Sequence, residues 1–213
     1  ILLAPFALLP FWTGRILLFL VSIIAFTVTA VKMGASRYQL VLFLFSASVF
    51  GGLYSGNIDF LVTLGYWMPA QIGLFFVMMK PQIGVCIAVF WMYMAWKEGG
   101  ALKIAKVFAP VTAAYLLSFL MYGFWPKYLF NMPNNPWNSG LFPYLLPIGI
   151  FLLYKALQLK DKRLSGISSP LVSPYVTGYN FSIVLLSLFN RPVLFLAAWV
   201  VLWLIVLVRL WIP

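Results

Sequence analysis

Long apolar runs separated by short basic segments dominate the chain. A membrane-spanning helix needs about 20 apolar residues, whereas a strand of a membrane barrel alternates polar and apolar positions over about ten. Runs such as 193–208 are apolar on every face, which indicates helices. The pattern therefore predicts an all-α polytopic transmembrane helical bundle with short broken helices.

The apolar runs divide residues 1–213 into spans of a single transmembrane domain. Residues 1–11 are expected to be the end of a longer span, because the sequence starts inside an apolar run; we expect a piece of a longer protein or a processed chain. Further spans are predicted at residues 15–31, 38–54, 58–79, 83–96, 104–124, 141–157, 171–189 and 193–210.

Segment 58–79 is either one span or two short helices broken near Pro69, which removes a helix hydrogen bond. The basic loops 32–37, 97–106 and 155–163 decide between these alternatives, because basic loops prefer the cytoplasm. Only two short helices put all three loops on one side. We therefore predict two short helices here, sheltered by surrounding protein.

This arrangement assigns the remaining turns to the opposite, non-cytoplasmic side. Residues 55–60 and 80–82 are expected there, together with the 190–191 turn. The same side is predicted to carry the long polar loop 123–140, which contains Asn131, Asn134, Asn135, Asn138 and Ser139.

Composition excludes a water-soluble enzyme. Of the 213 residues 64% are hydrophobic and 8% are charged, against about 25% charged in soluble domains. Lys and Arg total 14, but they are spread thinly between apolar runs, unlike the dense stripe of a nucleic-acid-binding surface. With no His and only Cys86, which we expect to be a small core residue, the sequence excludes metal sites built on His or Cys clusters.

The three acidic residues are Asp59, Glu98 and Asp161. Glu98 and Asp161 lie in basic loops, where we expect solvated or headgroup-contacting side chains. Asp59 follows a glycine-rich stretch and has two interpretations. Either Asp59 or Asn57 caps the helix that follows, or Asp59 is a carboxylate at the membrane interface that faces a polar cavity.

Lys80 lies between two apolar helices and also has two interpretations. It either snorkels to the interface, or it binds a phosphate or pyrophosphate with help from the N-terminus of the helix after Pro81. Arg191, which precedes Pro192, has the same alternatives, with snorkelling favoured.

Several motifs occur in an order that resembles glycosyltransferase family 87, membrane enzymes of the GT-C superfamily that include polyprenyl-phosphate-mannose-dependent mannosyltransferases. The resemblance covers roughly residues 51–190. It is carried by Gly56-Asn57-Ile58-Asp59, Lys80-Pro81, Ser173-Pro174-Tyr175 and Tyr179-Asn180.

The resemblance implies an integral membrane protein, expected in a bacterial plasma membrane, that transfers a sugar from a polyprenyl-phosphate donor to a lipid or glycan acceptor. Mannose is the default sugar, the active face is non-cytoplasmic, and neither a metal nor another cofactor is implied. A carboxylate would deprotonate the acceptor while cations hold the phosphate. Asp59 is the candidate catalytic residue. The candidate substrate-binding residues are Asn57, Lys80, Gln82, Tyr179, Asn180 and Arg191.

The sequence departs from the family pattern at two points. The family's catalytic carboxylate usually lies in the first external loop, which is expected upstream of this chain, and Asp59 matches the later glycine motif instead. Many relatives have His or Asp where this chain has Asn180, which cannot transfer a proton at neutral pH. The family interpretation also requires a broken helix between Ser173 and Gly178, so that Tyr179 and Asn180 reach the external cavity.

Two functions from other classes remain open. A membrane transporter or lipid-handling protein also uses broken helices with polar midpoints. A structural membrane subunit would have no polar cavity, with Asn57, Asp59 and Lys80 facing lipid or packed shut.

Overall fold

The computed structural model describes residues 3–127 and 137–211, and every regular element in those ranges is helical, which confirms the all-α class. The elements are α1 (Ala4–Ala7), α2 (Phe11–Lys32), α3 (Arg37–Leu44), α4 (Ala47–Ser55), α5 (Asp59–Trp67), α6 (Ala70–Val77), α7 (Pro81–Tyr122), α8 (Leu146–Leu159), α9 (Lys162–Val172), a 3-10 turn (Gly178–Phe181), α10 (Ser182–Ser187) and α11 (Pro192–Trp211).

Three helices within the described ranges are long and apolar enough to cross a membrane: Phe11–Lys32, Pro81–Tyr122 and Pro192–Arg209. The pair α3 and α4, bent by 48°, adds a fourth if it forms one span. These helices indicate a membrane protein. Whether the bundle is of the GT-C type stays a prediction.

One end of the bundle collects most of the positive charge. Arg163 Nη2 donates to the Met33 carbonyl at 2.9 Å, and Lys162 Nζ donates to the Tyr66 carbonyl at 2.5 Å, so the α2–α3, α5–α6 and α8–α9 turns lie together. We call this the basic end and the opposite one the polar end. The basic end carries Lys32, Arg37, Lys97, Lys103, Lys106, Lys155, Lys160, Lys162, Arg163 and Arg191. The positive-inside rule predicts that it faces the cytoplasm.

Segment 58–79 forms two short antiparallel helices, as predicted. Helix α5 ends at Trp67, Met68 is extended, and Pro69 precedes the first residue of α6. The two helices touch through glycine, because a Cβ on Gly65 would lie 2.7 Å from the Gly73 carbonyl oxygen. This hairpin starts near the polar end and its tip reaches the basic end.

Helix α7 turns back on itself at Gly99 and Gly100, whose backbone is not helical, and Gly100 has φ 61°. Tyr115 Oη donates to the Met78 carbonyl at 2.5 Å, so the second leg returns to the start of the first. The two legs correspond to the predicted spans 83–96 and 104–124. Glu98 pairs with Lys103 at 3.5 Å across the turn, and both side chains are exposed.

The prediction of one span over 171–189 is wrong. Helix α9 ends at Val172, residues 173–177 are not helical, and the chain then forms the 3-10 turn and α10. The Asn138 side-chain amide donates to the Pro174 carbonyl at 3.0 Å, which places this break toward the polar end. A broken helix between Ser173 and Gly178, as the family interpretation required, is therefore present.

This break also overturns the predicted side of the 190–191 turn. Gln39, in the first turn of α3, donates from Nε2 to the Phe189 carbonyl at 2.8 Å, so Arg191 lies at the basic end. The predicted side was wrong because the chain reverses direction within 171–189. Of the predicted polar loop 123–140, Asn131, Asn134 and Asn135 lie outside the described residues.

Candidate functional site

A buried ion pair joins α5 to the start of α7. Lys80 Nζ lies 2.8 Å from Asp59 Oδ2, and the side chains of Lys80 and Asp59 are 11% and 1% exposed. Asn57 Oδ1 accepts a second hydrogen bond from Lys80. An ion pair removed from water requires such additional hydrogen bonds to offset its desolvation.

The α4–α5 connection presents these side chains to Lys80. Gly56 ends α4 in the left-handed conformation, with φ 65°, and the Asn57 backbone N–H donates to the Gly52 carbonyl at 2.9 Å. Asp59 then opens α5, whose N-cap, Ile58, makes no side-chain cap. The proposed capping role of Asn57 or Asp59 is therefore not observed, because both side chains point to other partners.

Asn180 engages the second oxygen of Asp59 and is itself held by Thr177. Asn180 Nδ2 donates to Asp59 Oδ1 at 2.9 Å. The backbone N–H and the hydroxyl of Thr177 both donate to Asn180 Oδ1, each at 2.9 Å. These two donors fix the amide orientation of Asn180, so that its NH₂ group faces Asp59. Both carboxylate oxygens are consequently occupied.

The Tyr179 ring also lies next to the ammonium group. The Lys80 Nζ atom lies 4.7 Å from the centroid of the Tyr179 ring, within range of a cation–π interaction. Ser48 fastens the 3-10 turn to α4 by donating to the Gly178 carbonyl at 2.8 Å. In the loop before this turn, burial raises the pKa of Tyr175 above its usual value, with a further contribution from Tyr179.

Five of the seven predicted site residues meet in this cluster: Asn57, Asp59, Lys80, Tyr179 and Asn180. Gln82 lies nearby in the first turn of α7 and is half-buried. Arg191 is exposed at the basic end and is not part of the cluster, and its assignment as a substrate-binding residue stays a prediction.

Thr177 was not predicted from the sequence. The signal for it was the Thr177-x-x-Asn180 spacing, which is that of a capping box, and the structure contains this box.

An apolar cavity of about 550 Å³ is lined by the residues that directly precede the two members of the ion pair. It lies between the α5–α6 hairpin and the second leg of α7, and its walls include Ile58, Leu61, Phe75, Met79, Ala114 and Leu117. Ile58 directly precedes Asp59, and Met79 directly precedes Lys80. An apolar cavity whose wall residues adjoin a cation in the sequence suits an amphiphile with an anionic head.

The charges of the site limit its chemistry. No group of three His, Cys, Asp or Glu side chains that could hold a metal occurs within residues 3–127 and 137–211. Lys80 supplies the positive charge in this cluster. Asp59 is the carboxylate here, and to act as a base it has to release Lys80 or Asn180 first.

Comparisons of the chain with protein-family models, with curated proteins and with solved structures gave no match.

Proposed function

We propose that the chain is a membrane glycosyltransferase that transfers a sugar, mannose by default, from a polyprenyl-phosphate donor to a lipid or glycan acceptor at the non-cytoplasmic face. One observation carries the proposal. Side chains from three motifs that are separated in sequence, around Asp59, Lys80 and Asn180, meet in one cluster with a single cation, and residues adjacent to it in sequence line an apolar cavity.

Lys80 is the proposed ligand of the donor phosphate. Its ammonium group has three N–H donors. Two of them are used by Asn57 and Asp59, and the third is not engaged in a hydrogen bond within the described ranges. A phosphate oxygen accepting from that third donor would place the leaving group at the cation, where its developing charge is stabilised without a metal. The hydrocarbon chain would then follow the cavity beside Met79.

Asp59 acts in this proposal as a positioning residue. Its Oδ2 holds the ammonium group and its Oδ1 is held by Asn180, at 2.8 and 2.9 Å. The assignment of Asp59 as the catalytic base stays a prediction, and the geometry favours orienting and neutralising Lys80 over removing a proton from the acceptor.

A transporter or lipid-handling protein is the second candidate, favoured by one specific feature. Two broken elements, α5–α6 and α9–α10, enter the bundle and meet at the Asp59–Asn180 contact. Transporters place discontinuous helices around their substrate sites in this way. This candidate predicts movement of an amphiphile across a vesicle membrane without sugar transfer.

The test is sugar transfer by the full-length protein in membranes, with Lys80 replaced. Because Lys80→Ala alone strands Asp59 without its counter-ion, we pair Lys80→Met with Asp59→Asn, which keeps the site neutral. The expected fall in kcat is about 100-fold or more, as for the loss of one electrostatic stabiliser. Arg191→Ala serves as the matched control, since it removes an exposed cation far from the site.

Transfer that persists at the original rate in a folded Lys80→Met/Asp59→Asn variant would reject the role of Lys80. If Arg191→Ala lost as much sugar transfer as Lys80→Met/Asp59→Asn, the activity would depend on the overall charge of the protein and not on this site. Vesicle transport in the absence of any transfer by the unmodified protein would favour the second candidate.

A further inference from the structure

A second lysine, Lys162, is largely buried at the basic end, and its ammonium group has a carbonyl and ring faces as its neighbours. Its Nζ atom donates to the Tyr66 carbonyl at 2.5 Å and lies 5.0 and 5.5 Å from the ring centroids of Tyr66 and Trp91. Within the described ranges the salt bridges are Lys80–Asp59 and Lys103–Glu98, so Lys162 has no carboxylate partner there. A desolvated charge without a counter-ion is unfavourable.

Two more cations reach the same place, the tip of the α5–α6 hairpin. Lys32, in the last turn of α2, lies 5.6 Å above the Trp67 ring, and Arg163 donates to the Met33 carbonyl. The carboxylate nearest in sequence is Asp161, whose Oδ1 accepts from the Arg163 backbone N–H at 2.9 Å as the cap of α9. Three cations against one carboxylate leave a local excess of two positive charges.

We propose that the three cations around this hairpin tip, Lys32, Lys162 and Arg163, bind the phosphate of an anionic lipid headgroup in the leaflet at the basic end. The phosphate supplies the counter-charge that Lys162 lacks. The inference is independent of the proposed transferase, because the hairpin tip lies at the opposite end of the bundle from the Lys80 cluster.

The surroundings favour a lipid over a free phosphate ion. Val31 directly precedes Lys32 and Leu159 precedes Lys162 by three residues, and their side chains are 56% and 63% exposed. Apolar surface that continues from a basic cluster suits acyl chains below a headgroup. Basic pockets between membrane helices on the cytoplasmic side bind anionic headgroups in this manner, and each surface cation contributes about 1 kcal/mol.

The experiment measures lipid binding to the full chain in detergent micelles, by counting bound lipids with native mass spectrometry and by titration. The probes are phosphatidylglycerol, phosphatidylcholine and inorganic phosphate. Phosphatidylglycerol is expected to bind in preference to phosphatidylcholine. Lys162→Gln is expected to weaken phosphatidylglycerol binding roughly five- to tenfold. The control Lys106→Gln removes one exposed cation from the same end and is expected to leave binding unchanged.

Lys32→Gln provides a second test, because Lys32 is exposed and its replacement leaves the core intact. It is expected to weaken phosphatidylglycerol binding while the unfolding temperature without lipid stays the same. Equal weakening in Lys106→Gln would overturn the site in favour of diffuse attraction. Binding of inorganic phosphate that competes fully with phosphatidylglycerol would overturn the lipid assignment, as would equal binding of phosphatidylcholine.

Discussion

Lys80 and Lys162 are both largely removed from water, but the positive charge of each is surrounded in a different way. Lys80 is neutralised by Asp59, which is itself held by Asn180, so the charges of the cluster are matched within the chain. Lys162 is surrounded by a backbone carbonyl and two aromatic faces, which orient its ammonium group and leave its charge uncompensated. We call the Lys80 cluster the closed centre, because its charges are matched within the chain. The surroundings of Lys162 are the open centre, because their positive charge requires an anion from outside the chain.

This difference separates stability from binding at the two sites. At Lys80 the partner residues already provide two hydrogen bonds and an opposite charge, so a ligand there must share the ammonium group with them. At Lys162 no carboxylate within the described part of the chain competes with an anionic ligand, and the Tyr66 carbonyl accepts one hydrogen bond. The first centre is therefore suited to hold a group in a defined orientation, and the second to attract an anion.

The largest expected effect comes from breaking the closed centre. Asp59→Ala leaves Lys80 buried at 11% exposure without its counter-ion. Removing one partner of a buried ion pair costs about 3–5 kcal/mol, so the unfolding temperature should fall strongly. Thermal unfolding of the detergent-solubilised protein measures this change.

Glu98→Ala is the matched control, because it removes the carboxylate of an exposed pair with Lys103, at 3.5 Å. Exposed pairs contribute about 0–1 kcal/mol, so little change is expected. If Asp59→Ala were as mild as Glu98→Ala, Lys80 would be tolerating an unpaired charge as Lys162 does, and the contrast between the two centres would be lost.

The uncompensated charge of Lys162 in the open centre should make the free energy of unfolding depend on pH. Lys162 opens α9, outside the candidate spans, and burial together with the charge of Arg163 lowers its pKa from 10.5 to about 8. Between these two values the unfolded chain binds more protons than the folded chain, so stability should rise with pH. Below about pH 8 the lysine is protonated in both states and contributes no pH dependence.

The measurement compares the unfolding midpoints of the unmodified protein and Lys162→Met at pH 7 and pH 10, without anionic lipid. From pH 7 to pH 10 the free energy of unfolding of the unmodified protein should increase relative to that of the variant, by at most roughly 3 kcal/mol. The ring faces and the Tyr66 carbonyl favour the charged form and reduce this gain. If the unfolding midpoints of the two proteins changed equally between pH 7 and pH 10, Lys162 would be solvated. Bound phosphatidylglycerol should reduce the increase in stability of the unmodified protein with pH.

The Lys80 centre was partly predictable because its elements follow from charge bias. The three basic loops required segment 58–79 to be two short helices, and a hairpin necessarily brings its two ends, near Asp59 and Lys80, into one layer. That reasoning needed no long-range contact. The hydrogen-bonded pairing of these side chains was not predicted, since the sequence left capping by Asp59 and snorkelling by Lys80 open.

The contact with Asn180 and the position of Arg191 were harder to predict for a common reason. Segment 171–189 is apolar enough to be interpreted as one span, and only Pro174 and the small residues near it hint at a break. A break of five residues reverses the chain and moves every later turn to the other end. Lys162 gave no signal, because its ring and carbonyl partners come from α5 and α7.

The smallest expected effect tests how far the closed centre depends on support behind Asn180. Thr177→Val keeps the shape of the side chain and removes one of the two donors to Asn180 Oδ1, while the backbone N–H at 2.9 Å remains. A neutral hydrogen bond contributes about 1 kcal/mol, so a small drop in unfolding temperature is expected, with sugar transfer retained. Thr177→Ser keeps the hydroxyl and should behave as the unmodified protein. A loss as large as that of Asp59→Ala would mean that the hydroxyl alone holds the Asn180 amide toward Asp59, which would extend the closed centre from the ion pair to the 173–177 loop.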